Sequence, residues 1–104
     1  TLDLGRNAIT DLAPLATLTE LTALGLKENR AADLAPLASL RRLTSLSVEA
    51  NGVVSVAPLA ELTNLRHLYI GKNAIANVAP LAGLTALTVL RAGDNRIVDV
   101  SPLA

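Results

Sequence analysis

One histidine and two serines come nearest to a catalytic arrangement in this sequence. His67 is the only histidine, and Ser45 and Ser47 precede it by about one repeat of the chain. A nucleophilic serine needs a histidine as base, a carboxylate that orients the histidine, and donors for the oxyanion. Ser45 is expected beside His67 on a neighbouring strand, but no carboxylate is placed to orient the ring and a flat sheet forms no oxyanion pocket. We therefore predict that the chain is not an enzyme.

The other chemical patterns point away from metals, cofactors and nucleic acids. A metal site needs several clustered ligands, and one histidine with scattered carboxylates does not supply them. The stretch "GKN" at 71–73 is the end of a strand and not a phosphate-binding loop. Nine basic and nine acidic side chains cancel, whereas nucleic-acid binders are usually basic in clusters. No cofactor and no nucleic-acid partner are predicted, and no apolar run approaches the roughly 18–20 residues of a membrane span.

The composition predicts an aliphatic core. About half of the residues are apolar (51%), but Phe, Trp, Met and Cys are absent and Tyr69 is the only aromatic residue. The absence of cysteine excludes disulfides and thiolate metal sites, and it leaves the cellular compartment open. Because the chain begins at Thr1 without methionine, we expect a piece of a longer or processed protein.

A repeat in the sequence determines the strands and turns that position His67, Ser45 and Ser47. The segment "DLAPLA" at 11–16 returns, with small changes, every 22 residues. Residues 1–104 therefore form one domain, whose coils are 1–22, 23–44, 45–66, 67–88 and a truncated 89–104.

Each coil has two halves with different apolar spacing. Alternation such as Leu2 and Leu4 predicts a strand with one buried face. The second half spaces apolar residues by three, as in Leu12 and Leu15, which favours a short 3₁₀ segment. Prolines stand where this segment would start, at Pro14, Pro36, Pro58, Pro80 and Pro102. One coil cannot bury its own apolar face, so the coils must stack into a solenoid with a parallel sheet.

An asparagine recurs between the two halves of every coil. It occupies Asn7, Asn29, Asn51, Asn73 and Asn95. We expect these amides to point inward and to bond backbone groups of their own coil and of the next coil. A buried amide without partners costs about 1–3 kcal/mol, so this ladder is predicted to be structural.

The run LxLxxNxIxDLxPLAxLTxL resembles the leucine-rich repeat, most closely the 22-residue class of bacterial internalins. The resemblance covers the whole chain. It implies an α/β, right-handed solenoid of five coils, with the sheet on the concave side and 3₁₀ or irregular segments on the convex side. It also implies a protein partner on the concave face. A secreted or bacterial cell-surface location is suspected from this resemblance alone.

Two departures from the family pattern affect stability. A serine that often precedes the proline and caps the helical turn is replaced by Ala13 and its equivalents, except at Ser101. Side chains two residues earlier are expected to substitute through Asx-type turns, at Asp11, Asp33, Ser55, Asn77 and Asp99. The capping helices and the flanking immunoglobulin-like module of internalins are also missing. The first and last coils should therefore expose apolar ends and open strand edges, which favours end-to-end self-association.

The core positions are filled unevenly. Ala31 and Ala92 stand where other coils have larger aliphatic residues. We expect Ala31→Ile and Ala92→Leu to raise stability, since each buried methylene is worth roughly 0.8 kcal/mol.

The outward-facing strand positions are the least periodic, so function should use them. One cluster predicts an anchor for a protein partner, because Tyr and Arg are enriched at binding hot spots. Its residues are Tyr69, His67, Arg91 and Ser47, with Lys72, Arg66 and Glu49 at its margins.

Other interpretations of these positions remain open. Tyr69 could cover Gly71 and Gly25 on an idle sheet while stacking on Arg91. The chain could also be a structural spacer within a larger protein, or an engineered scaffold. The mixed charges favour a solvated surface with cross-strand pairs such as Lys27 with Glu49. Similar solvated charges are expected on the convex side, at Arg41, Arg42, Glu20 and Glu61.

Overall fold

Five short strands form the frame of the molecule, for which a computed structural model describes residues 2–97. The strands are β1 (Leu2–Asp3), β2 (Ala23–Gly25), β3 (Ser45–Ser47), β4 (His67–Tyr69) and β5 (Val89–Arg91). They pair in parallel and in chain order within one sheet. Each residue pairs with the residue 22 positions later, as Leu24 does with Leu46. The predicted parallel solenoid is confirmed.

The alternation inside each coil buries two aliphatic side chains. In the second coil these are Leu24 and Leu26, both almost completely buried. Leu26 follows the end of β2, yet its N–H still donates to the Ser47 carbonyl at 2.8 Å. The hydrogen bonding between coils thus continues past the strands, which run for only two or three residues.

Short 3₁₀ segments return the chain on the side opposite to the sheet. They span Ala13–Leu15, Ala35–Ser39, Ala57–Leu59 and Ala79–Leu81, each with proline near its start. The predicted segments are confirmed for four coils, while Pro102, Asp99 and the rest of the fifth return lie outside the described residues.

The caps of these segments differ in part from the prediction. Each segment begins at the alanine, so the capping position is the apolar residue before it, and no side chain caps there. The expected Asx-type bonds do form, because the alanine N–H donates to the side chain two residues earlier. Asp33 Oδ1, for example, accepts the Ala35 N–H at 3.0 Å. Asp11, Ser55 and Asn77 accept equivalent bonds.

The core is aliphatic and runs through the stack. Its middle is tightly closed, with Leu46, Leu59, Leu62 and Leu68 fully buried. In the first and last coils the aliphatic residues that face the core are only partly buried. They are Leu2, Leu4, Ile9, Leu90, Ala92 and Ile97. Leu18, in the first coil, keeps 40% of its surface exposed.

The asparagine ladder holds adjacent coils together. Asn51 donates from Nδ2 to the carbonyls of Leu26, Val48 and Glu49, at 2.8 to 3.0 Å. Its Oδ1 accepts the Ala31 N–H at 3.0 Å. The inward orientation is confirmed for Asn29 and Asn51, which are buried, but the predicted bonding to the next coil is not. The amide bonds its own coil and the preceding coil, because it points back against the turn that comes before it.

A left-handed residue precedes each of these asparagines. Arg6, Glu28, Ala50, Lys72 and Asp94 have φ between 56° and 61°. This conformation is unfavourable for residues with a Cβ. It turns the chain away from the sheet, so that the following side chain enters the core.

Within residues 2–97, no helix is long and apolar enough to cross a membrane.

Candidate functional site on the outer sheet face

The face of the sheet that points away from the core, here called the outer sheet face, carries the predicted cluster. Register places Ser47, Tyr69 and Arg91 side by side on β3, β4 and β5. The Arg91 guanidinium carbon lies 5.7 Å from the centre of the Tyr69 ring. This is a cation–π distance, so the arginine head is held over the ring and presented to solvent.

His67 lies on the same face, two residues before Tyr69 on β4. Its strand partners are Ser45 and Val89, as the repeat predicts. Within residues 2–97 no side-chain hydrogen bond joins His67 to Ser45. The histidine is half-buried and widens the surface around the tyrosine.

Glycines form the floor beyond Tyr69. A Cβ on Gly71 would lie 3.2 Å from the Gly93 carbonyl oxygen and 3.7 Å from Glu49 Oε2. Gly71 is itself buried, so a side chain at this position would crowd the backbone of Gly93. Around Gly25, the atoms nearest to such a Cβ belong to Asp3. Glu49 thus lies close to Gly71, and Asp3 lies close to Gly25.

The remaining cluster residues lie at its margins. Arg66 and Lys72 flank β4 at its two ends, and both side chains are exposed. Lys72 has the left-handed φ of 56° described above, so it stands where the chain leaves the sheet.

A depression in the first three coils was missed by the sequence reasoning. Its volume is about 440 Å³, and its lining consists of Asp3, Gly5, Arg6, Gly25, Lys27 and Ser47. Gly5, Gly25 and Ser47 are small, so the floor is low, while charged side chains form the wall. The pattern that would have revealed it is two glycines at outward positions of adjacent coils. Ser47 separates this depression from Tyr69.

The charges pair differently from the expected pattern. Arg6 bonds Glu28 at 2.7 Å, and Arg42 bonds Glu20 at 2.6 Å. These are the ion pairs among residues 2–97, and the expected pair of Lys27 with Glu49 is not formed. Both observed pairs are largely exposed, so each contributes about 0–1 kcal/mol.

Comparisons with known proteins agree with this architecture. A family model described as leucine-rich repeats (2 copies) matches residues 63–104. An internalin C2 from Listeria monocytogenes is 40% identical, with a TM-score of 0.96, over 97% of this chain and 45% of that one. An internalin (inlF) from the same species is 31% identical, with a TM-score of 0.69, over 94% of this chain and 36% of that one.

A third solved structure shares the fold. The functional domain of InlJ from Listeria monocytogenes, described as including a cysteine ladder, is 25% identical with a TM-score of 0.75. That match covers 96% of this chain and 22% of the other. The chain thus spans less than half the length of these relatives. No match was found among curated proteins.

The stacked coils, the asparagine ladder and the family match define a leucine-rich repeat protein. Within that class the chain is similar to the internalins of Listeria monocytogenes. This architecture generally serves as a protein-interaction module, because the curved stack offers an extended binding surface.

Proposed function

We propose that the chain recognises a protein partner through the outer sheet face, which corresponds to the predicted concave face, with Tyr69 as the central anchor. One observation carries the proposal. The chain has a single aromatic residue, and that residue lies on the outer sheet face instead of in the aliphatic core. A tyrosine adds large contact area with little loss of side-chain freedom, so it suits a binding hot spot.

The surroundings of Tyr69 favour a partner that carries acidic groups. Residues 67–88 contain no Asp or Glu, while His67 and Lys72 belong to this coil and Arg91 stacks on the ring. A carboxylate of the partner would accept two parallel hydrogen bonds from the Arg91 guanidinium. An apolar or aromatic group of the partner would pack on the free part of the tyrosine ring.

The depression beside Ser47 supplies a second contact. With its low floor and a volume of about 440 Å³, it accepts a protruding side chain from the same partner. Lys27 in its wall could pair with an acidic side chain of the partner, and Asp3 with a basic one. The partner would therefore span β1 to β5, and Ser47 would lie under its middle.

Internalin-like proteins are typically surface or secreted proteins of bacteria. The similarity to internalins supports an extracellular site of action for this chain, and an extracellular partner.

The test compares three purified forms of the chain. Proteins captured from extracellular and surface fractions by the unaltered chain are identified, and the affinity of each is then measured. A Tyr69→Ala, Arg91→Glu variant should lose at least about 30-fold, the scale of a hot-spot deletion. The control, Thr63→Ala with Arg41→Glu, changes exposed residues outside the sheet with the same change in charge and should keep its affinity.

Equal affinity of all three forms would contradict binding through the outer sheet face. The interpretation of the chain as a structural spacer would then be the better one. Each variant must first show the circular dichroism spectrum and the melting temperature of the unaltered chain.

A further inference from the structure

The ladder asparagine of the third coil differs from the others in the residue that follows it. Of the seven asparagines in the sequence, only Asn51 is followed by glycine. Asparagine is a chemically labile residue, because the backbone nitrogen of the next residue can attack its side-chain carbonyl carbon. Glycine offers the least hindered nitrogen and the widest range of backbone conformations for this attack. We propose that Asn51 is a site of spontaneous deamidation, and that the hydrogen bonds of the closed third coil prevent the reaction until the coil opens.

The reaction has two steps, and water is its only co-reactant. In the first step the Gly52 nitrogen bonds to the side-chain carbonyl carbon Cγ of Asn51, and the bond from Cγ to Nδ2 breaks. Ammonia leaves with the proton that the Gly52 nitrogen gives up, and a cyclic imide remains. In the second step water adds to either carbonyl of the imide and opens the ring. The product is aspartate or isoaspartate, in which the main chain passes through the side-chain carboxyl carbon, and nothing is oxidised or reduced.

Gly52 lies at the surface and keeps its nitrogen out of the ladder. It is exposed and has a left-handed φ of 72°, and a Cβ at this position would meet no atom within 4 Å. In the second and fourth coils the equivalent N–H groups, of Arg30 and Ala74, donate to carbonyls of the preceding coil at 2.8 Å. Among residues 2–97 the Gly52 N–H makes no such bond. The attacking nitrogen therefore has no bond to the preceding coil that it must first break.

The Asn51 side chain, in contrast, is closed to the attack. It is 4% exposed, and its Nδ2, the leaving group, donates to the carbonyls of Leu26, Val48 and Glu49 at 2.8 to 3.0 Å. Its Oδ1 accepts the Ala31 N–H at 3.0 Å. These bonds hold the amide in the core, whereas the attacking nitrogen lies at the surface. The side chain must leave them before Cγ can meet the nitrogen, and water must enter before the imide can open.

Opening of the third coil should therefore set the rate of deamidation. Regions of a folded protein open locally, with free energies that range up to that of global unfolding. When opening and closing are fast compared with the chemical step, the rate follows the population of the open form. Leu46, Val48 and Val53 of this coil are fully buried, so its opening exposes part of the core and is rare. Deamidation at Asn51 thus measures how often the middle of the stack opens.

Deamidation would make that opening permanent. An ionised carboxylate accepts hydrogen bonds but donates none. The three carbonyls that Asn51 Nδ2 bonds would lose their donor and face a negative charge, and a buried charge without partners is costly. Isoaspartate also lengthens the main chain between Ala50 and Gly52, which displaces the turn from its neighbours. Each opening in which the reaction is completed therefore removes one molecule from the folded population.

Peptide mapping of the purified 104-residue chain tests the proposal. Trypsin cleaves after Arg42 and Arg66, and the peptide between them contains both Asn51 and Asn64. Asn64 is exposed and precedes leucine, so it serves as the internal reference. In the chain unfolded by urea, Asn51 should deamidate faster than every other asparagine. In the folded chain at the same pH and temperature it should react at least about 100-fold more slowly, because the open form is rare.

Two variants separate the chemistry from the opening. Asn73→Ala leaves residues 51 and 52 unchanged but removes Asn73 Oδ1, which accepts the N–H groups of Asn51 and Val53 at 2.9 Å. It should raise the rate in the folded chain at least about tenfold and leave the rate in urea unchanged. Gly52→Ala should slow the reaction in urea to the rate at Asn7 and Asn73, which precede alanine. If Asn73→Ala fails to fold, urea below the unfolding transition replaces it, since the rate should rise with the open population.

The deamidated chain should melt well below the unaltered chain, and Asn51→Asp should do the same. Several outcomes would overturn the proposal. They are a rate at Asn51 that does not exceed the rate at Asn64 in urea, equal rates at Asn51 in the folded and unfolded chain, and a deamidated chain that melts like the unaltered one. A rate in the folded chain that neither Asn73→Ala nor mild urea raises would also do so. Since the readout uses only this chain, it is independent of the proposed recognition of another protein.

Discussion

Asn29 Oδ1 accepts the backbone N–H groups of both Asn7 and Ile9, each at 2.9 Å. The same amide donates from Nδ2 to the Leu4 carbonyl of the preceding coil and to the Leu26 carbonyl of its own. One side chain thus satisfies groups of two turns that bend away from the sheet. Buried backbone groups almost always have partners, and here a side chain provides them.

The position of an asparagine in the stack should decide how much it stabilises the fold. Asn51→Ala removes four hydrogen bonds at a site with 4% exposure, and it should cost about 3 kcal/mol or more. Asn7→Ala, at the exposed end of the ladder, should cost less than about 1 kcal/mol. Denaturant unfolding of the two variants measures the difference, and equal losses would contradict the structural role of the ladder.

Two glycines separate the effect of backbone conformation from that of packing. A Cβ at Gly52 or at Gly83 would meet no atom within 4 Å, but only Gly52 has a positive φ, of 72°. Gly52→Ala should therefore destabilise the chain by about 1–2 kcal/mol. Gly83→Ala should stabilise it by about 0.4–1 kcal/mol, because the unfolded chain loses freedom. The two melting temperatures should move in opposite directions, and a shift of the same sign would refute the argument.

The turn before each 3₁₀ segment should depend on an acceptor and not on a negative charge. Asp33→Ala removes the acceptor of the Ala35 N–H and should cost about 1 kcal/mol. Asp33→Asn should be close to neutral, since Asn77 makes the equivalent bond to Ala79 at 2.9 Å. Thermal unfolding measures both, and an equal loss in the two variants would assign the effect to charge.

The alanines in the core should respond according to their burial. Ala31 is fully buried and Ala92 is half-buried. Ala31→Ile should raise stability by up to about 2 kcal/mol, and Ala92→Leu by less, because less of the added surface leaves water. A loss of stability in Ala31→Ile would mean that neighbouring side chains already fill the space and that the core is overpacked. Calorimetry of both variants decides between these results.

The periodic residues made much of the fold predictable. Any residue that packs against its own counterpart in the next coil must recur, so Leu24 and Leu46 fix the register between their strands. The inward orientation of Asn51 followed from the cost of an unpaired amide in a buried column. Because the repeat fixes the register of the strands, Ser47 and Arg91 could be named from the sequence as the neighbours of Tyr69.

The exposed features were predicted less well, because packing does not determine them. The expected pairing of Lys27 with Glu49 competes with water, and the pair that forms instead is Arg6 with Glu28. The left-handed φ of 59° at Ala50 leaves no mark in the sequence, since residues other than glycine occupy that position in all five coils. The depression beside Ser47 depends on Gly5 and Gly25, and an argument from repeats missed it because the position of Gly25 holds a different residue in every coil.

Among residues 2–97 each coil packs only against its neighbours, and this has a consequence for folding kinetics. Contacts between elements join successive strands or successive 3₁₀ segments, so the sequence separation that folding must bridge stays near one coil of 22 residues. The entropy of loop closure therefore does not grow as coils are added. Folding should nucleate in the fully buried middle coils and spread outward, and hydrogen exchange should be slowest at Leu46 and Leu68 and fastest in the outer coils.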